Sequence, residues 1–133
     1  ASVFDAIAES GLQLYKFGKI TSMPKWDRTF RPLSFLDVIS DNLIINAHSL
    51  LLVDIGLSLN EALEQLEIAC KEKNIILGKI VICCQLGYKK AFYYGTLKIL
   101  KQKRIKEPFS IIIPSNLHFL EEDMIKRFLI SNL

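Results

Sequence analysis

Three short, largely apolar runs set the strongest limit on how this chain can fold. They span residues 49–55, 79–86 and 110–114, and a Gly or a Pro closes each of them. Apolar runs of this length are typical of strands that are covered on both faces. Because helix-like segments alternate with these runs, the sequence predicts a layered α/β domain with a mixed, partly parallel sheet flanked by helices.

The helices are predicted from capping pairs and from apolar spacing. Ser34 with Asp37, and Ser58 with Glu61, match a cap followed three residues later by an acid. The first pair predicts a helix that ends near residues 46–47, and the second predicts a helix over 59–73. Further helices are predicted over 96–104 and from about 121 onwards. The expected buried stripe of the last helix is Leu120, Met124, Ile125 and Phe128.

Residues 11–32 form a connector that fits no single helix or strand period. Before it, Ser2 with Asp5 predicts a helix cap, and Gly11 predicts the end of that helix. Within it, a short strand is expected just before Pro24. A cap at the second residue predicts that the chain begins inside a domain of a longer protein.

Composition places only loose limits on the class of protein. Half of the 133 residues are hydrophobic and the net charge is +3, so the length suits one domain and the charge by itself does not indicate nucleic acid. No apolar run approaches the roughly 18–20 residues that cross a bilayer, so no membrane partner is expected. The three Cys lack metal-ligand spacing. They are predicted to be reduced structural thiols, which suits a cytosolic protein.

The residues alone do not identify an enzyme. The chain has no Gly-rich phosphate loop and no G-x-S-x-G motif. His48 and His118 are far apart, have no Cys or His neighbours, and are expected to be structural. Asp54 follows a predicted strand, where a turn-capping role is favoured over catalysis. Ligands of open α/β sheets bind outside the carboxyl ends of strands, which directs attention to residues 53–54, 86–87 and 113–115.

A basic segment over residues 89–106 holds seven of the 17 basic residues, with aromatic residues interleaved at its start. This pattern is compatible with a nucleic-acid surface. A solvated helix face is the favoured interpretation. The residues by themselves therefore indicate an α/β domain that forms part of a larger protein.

Several blocks in one register resemble the diphthine synthase family. The block GLQLYKFGKITSMPKWDRTFRPLSFLDVI carries a W-x-x-x-x-R-P-x-S-F pattern at Trp26, Arg31, Pro32, Ser34 and Phe35. The block HSLLLVDI at 48–55, the block YGTL at 94–97 and the block IPSNLHFLE at 113–121 continue the match in the same order. The resemblance covers almost the whole chain.

The resemblance implies the tetrapyrrole methylase fold class, in which two α/β domains enclose S-adenosyl-L-methionine. It assigns residues 1–33 to the interdomain helix and linker, and residues 34–133 to the C-terminal domain. The N-terminal cofactor-loop domain is absent from this chain. The implied cofactor contacts are Ser2, Val3, Val53, Leu86 and Phe109. Two departures from the family pattern matter. Gln85 stands where the family usually has an Arg, and the family's long insertion after its D-I-K segment is shortened here to residues 55–58.

The resemblance also implies the reaction and its partners. Methyl transfer to the amino group of a modified histidine on translation elongation factor 2 is expected, in the cytoplasm, by a homodimer and without direct nucleic-acid contact. The basic segment is expected to help dock the protein substrate, and the chain alone is expected to be inactive. Two alternatives stay open: a non-catalytic α/β interaction module with a basic RNA- or protein-binding face, and a methylase of the same fold that acts on a small macrocycle.

Overall fold

A computed structural model describes residues 11–12, 16–86, 89–105, 108–117 and 119–130, with only the backbone of 85–86, 89–90 and 119. The strands are β1 (Thr21–Met23), β2 (Ser49–Val53), β3 (Ile80–Leu86), β4 (Lys89–Gly95) and β5 (Phe109–Ile113). The helices are α1 (Ser34–Ile44), α2 (Leu59–Lys73), α3 (Leu97–Leu100) and α4 (Phe119–Ile125), and a 3₁₀ turn (Lys126–Phe128) follows α4.

The five strands form one mixed sheet in the order β1-β2-β5-β3-β4. Only β1 and β2 pair in parallel, and every other neighbouring pair is antiparallel. The prediction of a mixed, partly parallel sheet flanked by helices is therefore confirmed. The edge strand β1 lies in the segment that the resemblance assigned to the linker, and the domain boundary stays a prediction.

Alternation along the strands gives the sheet two apolar faces. Leu51, Ile82 and Ile111 point to one face and pack against α1, α2 and α3. Leu50 and Ile112 point to the other face and pack with Ile125 of α4 and Phe128 of the 3₁₀ turn. Because successive strand residues face opposite sides, a continuous apolar run is needed to fill both layers.

Local sequence explains α2 well and α1 less well. Ser58 accepts a hydrogen bond from the backbone N–H of Glu61, and Glu61 accepts one from the backbone N–H of Ser58, so the predicted capping box is present. At α1 the predicted cap is wrong, because Ser34 is the first helical residue and Leu33 precedes it without a side-chain cap.

Two other helix predictions are corrected. The predicted helix over 96–104 is only the four-residue α3, because the chain turns immediately after Leu100. In α4 the side chain of Ile125 is buried, but those of Leu120 and Met124 are 55% and 42% exposed. The basic segment is likewise not one helix face, because its first half is the strand β4.

Candidate functional site

The strands of the sheet begin and end along two edges that run across the strand direction, and these two edges are distinct from the lateral edge strand β1. One of them collects the carboxyl ends of β1, β2 and β3 and the start of β5. The register places Met23 beside Val53, and Phe109 beside Cys84. Because β5 runs antiparallel to β2 and β3, its first residue lies at this edge and its last residues lie at the opposite one. The sequence-based grouping of residues 113–115 with this edge is therefore wrong.

A cavity of about 520 Å³ opens at this edge. Its volume lies within the roughly 300–1,000 Å³ that small-molecule sites usually have. The loop between β2 and α2 forms one wall, and the connection from α3 to β5 forms the other. The lining residues are Val53, Asp54, Ile55, Gly56, Leu57, Ser58, Glu61, Ile105, Pro108 and Phe109. We call this cavity the pocket, and its side of the sheet the pocket edge.

The loop of the pocket is shaped by its own hydrogen bonds. The carboxylate of Asp54 accepts a hydrogen bond from the backbone N–H of Gly56 at 3.0 Å, and the backbone N–H of Leu57 donates to the Asp54 carbonyl at 3.0 Å. The backbone N–H of Asp54 also donates to the carbonyl of Met23, which ties the loop to β1. The turn-capping role expected for Asp54 is confirmed.

The pocket has an apolar wall and an acidic rim. Val53, Leu57 and Phe109 supply apolar surface, whereas Asp54 and Glu61 supply carboxylates. Hydrogen bonds from the backbone and hydroxyl of Ser58 lower the pKa of Glu61, so this carboxylate is ionised at neutral pH. The pocket can therefore hold a flat apolar group beside polar or cationic ones.

The structure brings together some of the predicted cofactor contacts. Val53 and Phe109 both line the pocket. The backbone of Leu86 lies at the same edge, two residues beyond the Cys84 that pairs with Phe109, and its side chain is outside the described part. Ser2 and Val3 also lie outside the described residues.

Sequence reasoning missed most of the remaining lining residues. Two signals in the sequence pointed to part of them: the Asp54-Ile-Gly56 turn and the Ser58–Glu61 capping box, which together mark the loop after β2. No comparable local signal marks Ile105, because it reaches the pocket only through the sharp turn after α3.

The opposite edge of the sheet carries a buried polar cluster. The His48 Nε2 and a carboxylate oxygen of Glu121 are 2.8 Å apart, and both side chains are at most 1% exposed. The other carboxylate oxygen of Glu121 accepts a hydrogen bond from Lys16 Nζ at 3.1 Å, and the same Nζ donates to the Asn116 carbonyl at 2.7 Å. We call His48, Glu121, Lys16 and their partner Ser115 the network, and its side of the sheet the network edge.

The hydrogen bonds of His48 fix its tautomer. The backbone N–H of Ser115 donates to His48 Nδ1 at 3.0 Å, so Nδ1 must carry a lone pair and the ring proton sits on Nε2. Nε2 then donates to Glu121. Burial lowers the pKa of His48 below its ordinary value of 6.5, and the hydrogen bond to Glu121 opposes this only in part.

In the network Ser115 contacts His48, and His48 contacts Glu121, as in a catalytic triad, but the network is not a nucleophilic site. The Ser115 hydroxyl donates to the carbonyl of Asn46 at 2.8 Å and is 3.3 Å from His48 Nδ1. The backbone N–H of Ser115 already occupies that nitrogen, and the imidazole is fully buried. The structural role expected for His48 is confirmed, whereas His118 lies outside the described residues.

The thiols and other candidate sites add little chemistry. Cys70, Cys83 and Cys84 are buried thiols, as expected for a structural role, and burial raises the pKa of Cys83 to about 12. Within the described ranges, no group of three or more His, Cys, Asp or Glu residues could hold a metal ion. The described part of the chain also has no helix long and apolar enough to cross a bilayer.

Comparisons with known proteins show which proteins this chain is similar to. The chain is 37% identical over 144 residues to a diphthine synthase of Methanococcus maripaludis, covering 99% of the chain. It is also 37% identical over 139 residues to the diphthine synthase of Methanocaldococcus jannaschii. The chain is a homologue of part of the diphthine synthases. It spans about half the length of these relatives, 56% and 54% respectively. No protein-family model matches the chain.

Solved structures show the same similarity. The fold matches a crystal structure from Entamoeba histolytica, provisionally named diphthine synthase, with a TM-score of 0.90 and 28% identity over 99% of this chain and 58% of that one. A second crystal structure of a diphthine synthase has a TM-score of 0.82 at 24% identity, over 97% of this chain and 52% of that one, and supports the fold alone.

Proposed function

We propose that this chain is the carboxyl-terminal part of an S-adenosyl-L-methionine-dependent methyltransferase of diphthamide biosynthesis. The acceptor is the amino group of the modified histidine on translation elongation factor 2. One observation carries the proposal: Val53 and Phe109, which the family resemblance assigns to the cofactor, are 56 positions apart and line the same pocket. Homology to diphthine synthases, the family from which that assignment comes, also supports it.

The residues of the pocket fit this cofactor. Val53, Leu57 and Phe109 offer apolar surface to a purine ring, and the carboxylates of Asp54 and Glu61 can accept hydrogen bonds from hydroxyl or ammonium groups. When bound, the cofactor supplies an electrophilic methyl group on a sulfonium. The chain contributes orientation and the exclusion of water, and such methyl transfer requires no nucleophilic side chain from it.

Calorimetry with S-adenosyl-L-methionine tests this assignment. The complete protein should bind the cofactor, and Phe109→Ala should weaken binding by about tenfold because it removes part of the apolar wall. Ile76→Ala is the matched control, since Ile76 is 97% exposed and lies before β3, at the network edge. Equal affinity in the Phe109→Ala protein would contradict the assignment of the pocket.

The chain by itself should bind the cofactor weakly and should transfer no methyl group. Its cofactor contacts would be incomplete because the family encloses the cofactor between two domains. Micromolar binding by the chain alone would show that the second domain is not needed. Absent cofactor binding by the complete protein, together with salt-dependent RNA binding, would instead favour the interaction module.

The basic segment over 89–106 is part of the proposal as a docking surface for elongation factor 2. Lys98 and Arg104 are exposed, and Lys103 Nζ lies 5.9 Å from the centre of the Tyr93 ring. Lys101 is less available because it pairs with Glu67 at 2.9 Å. The sharpest test is therefore charge reversal of Lys98, Lys103 and Arg104 in the complete protein. Unaltered modification of elongation factor 2 would overturn this role.

The proposal also includes a homodimer in the cytoplasm. Large exposed apolar side chains support an interface with a second copy of the protein, and the buried thiols suit a reducing compartment. Examples of such exposed side chains are Ile44, Ile45 and Leu120. Sedimentation of the complete protein tests the oligomeric state, and a monomer at micromolar concentration would contradict the dimer.

A further inference from the structure

The loop between β1 and α1 presents an exposed aromatic side chain between two arginines. Phe30 is 58% exposed, and Arg28 and Arg31 beside it are also exposed. We call residues 25–31 the display loop. Counting Lys25, Asp27, Arg28 and Arg31, its formal charge is +2. An exposed aromatic residue with flanking arginines is the composition that interface centres favour.

The display loop is held in one shape by its own bonds. The carboxylate of Asp27 accepts hydrogen bonds from the backbone N–H groups of Thr29 at 2.8 Å and Phe30 at 2.7 Å. The backbone N–H of Asp27 donates to the Phe30 carbonyl at 3.1 Å, and Arg31 Nε donates to the Asp27 carbonyl at 3.2 Å. The tip carrying Phe30 is therefore ordered before any partner arrives, which lowers the entropic cost of binding.

The base of the display loop is anchored to the domain. The backbone N–H of Trp26 donates to the Gln65 side chain at 3.0 Å, and the same side chain donates to the Pro24 carbonyl at 3.0 Å. Trp26 Nε1 donates to the Pro32 carbonyl at 3.1 Å, and its ring packs against Phe35. These bonds tie the base of the loop to α2 and fix the direction in which the loop leaves β1.

The display loop borders the pocket. Lys25 Nζ lies 3.4 Å from the carbonyl of Gly56 and 3.9 Å from a carboxylate oxygen of Glu61, both of which line the pocket. Phe30 is five residues further along the chain and so lies within about 17 Å of Lys25. A macromolecule seated on Phe30 would thus reach the pocket.

We propose that the display loop docks an acidic, partly apolar surface of the protein that accepts the methyl group. Phe30 inserts into an apolar depression of that surface, and Arg28 and Arg31 pair with carboxylates around it. This inference rests on the proposed function. Charge favours a protein over a nucleic acid, because α1, which follows the loop, exposes Asp37 and Asp41 and would repel a continuous phosphate track.

Steady-state kinetics of the complete protein with elongation factor 2 as acceptor test the proposal. Phe30→Ser should raise the KM for the acceptor by about tenfold or more and leave the affinity for S-adenosyl-L-methionine unchanged. Arg28→Glu should raise the same KM by about threefold to tenfold, with an effect that shrinks at high salt. Ile76→Ser, an equally drastic change at a more exposed apolar residue, should alter neither quantity.

A second variant tests the ordered shape of the loop. Asp27→Ala removes the acceptor of the two backbone bonds and keeps Phe30 and both arginines. It should also raise the KM for the acceptor, at unchanged cofactor affinity. Circular dichroism and thermal unfolding show whether each variant is folded, and a folded Phe30→Ser protein with wild-type KM overturns the proposal.

The remaining outcomes separate this inference from the proposed function. If the wild-type protein binds no cofactor and methylates no acceptor, the proposed function itself fails, and the docking role fails with it. If methylation is normal but Phe30→Ser shifts the oligomeric state instead of the KM, the loop contacts a second copy of the chain. If the variants weaken only RNA binding, the partner is a nucleic acid. Either result overturns the docking proposal alone.

Discussion

The two edges of the central sheet differ in how they use polar residues. At the network edge, buried polar groups bond to each other: His48 and Glu121 are almost inaccessible, and each has partners from distant parts of the chain. At the pocket edge, Asp54 and Glu61 are exposed, and each keeps its bonds within the loop that carries it or with Lys25.

The two edges of the sheet serve different purposes, stability at the network edge and ligand binding at the pocket edge. Charges that are buried must be paired, so losing a partner at the network edge should cost folding free energy. Exposed carboxylates cost little to keep and remain available to a ligand. We therefore expect substitutions at the network edge to act mainly on stability, and substitutions at the pocket edge to act mainly on cofactor affinity.

The largest effect on stability is expected from Glu121→Ala. The substitution leaves the Nε2 proton of His48 buried without its acceptor and removes one partner of Lys16, so the free energy of unfolding should fall by about 3 kcal/mol. Urea unfolding measures it. Glu122→Ala is the control. Glu122 is exposed, and its 3.8 Å ion pair with Lys126 is long and solvated, so this substitution should lower the free energy of unfolding by less than about 0.5 kcal/mol. Equal losses of unfolding free energy in Glu121→Ala and Glu122→Ala would contradict the stabilising role of the network.

The next effect is expected where the connector meets the network edge, at Gly18. An added Cβ would overlap the side-chain amide of Asn42, which is buried. This amide accepts a hydrogen bond from the backbone N–H of Lys19 and donates one to the Lys19 carbonyl. Gly18→Ala should therefore lower the free energy of unfolding by about 2 kcal/mol. At Gly78 the added Cβ meets no atom within 4 Å, so Gly78→Ala should be neutral or slightly stabilising. Thermal unfolding of both variants checks this contrast.

A pH effect follows from the bonds of His48. Its pKa is lowered in the folded protein by burial, and Glu121 and Lys16 are the charged groups that face it. The unfolded chain therefore binds a proton more readily, and stability should fall as the pH drops below about 6.5, by at most about 1.4 kcal/mol per pH unit. Urea unfolding of the wild-type and His48→Gln chains between about pH 5 and about pH 8, a range that brackets the ordinary pKa of histidine, measures how the free energy of unfolding changes with pH. A slope in the His48→Gln chain as steep as that of the wild type would contradict this origin.

The smallest effect on stability is expected at the pocket edge. Ser58→Ala removes the cap of α2 and should cost about 1 kcal/mol. Because Ser58 also shapes the pocket, cofactor affinity of the complete protein should fall as well. Ser34→Ala is the matched control, since Ser34 caps no helix, and it should change stability by less than about 0.5 kcal/mol. Unchanged affinity in Ser58→Ala would show that the loop shape does not matter for binding.

Local patterns predicted the pocket edge better than the network edge. The apolar runs located β2, β3 and β5, and the capping box located α2 with its correct ends. An apolar run carries no direction, however, so the sequence could not show that β5 is antiparallel and that Phe109 stands at its beginning. The family resemblance supplied Phe109 where the strand rule pointed to residues 113–115.

The network was invisible because its contacts are long-range. His48 and Glu121 are 73 positions apart, and Lys16 and Glu121 are 105 apart. Neither helix period nor strand alternation relates such residues. The buried stripe predicted for α4 is correct at Ile125 and wrong at Leu120 and Met124, which are exposed. The reason is similar, since an apolar period does not tell which of its members a neighbouring element covers.

The central claim is that ligands bind at the pocket edge and not at the network edge. Methyl NMR of the complete protein during titration with S-adenosyl-L-methionine tests it most directly, because each edge carries its own reporters. The methyl signals of Val53, Leu57 and Ile105 should shift. Those of Leu50, Ile112 and Ile125, which belong to the apolar layer under α4, the helix that carries Glu121 of the network, should stay in place. Shifts concentrated at Ile125 and its neighbours, or absent from the pocket at saturating cofactor, would contradict the account.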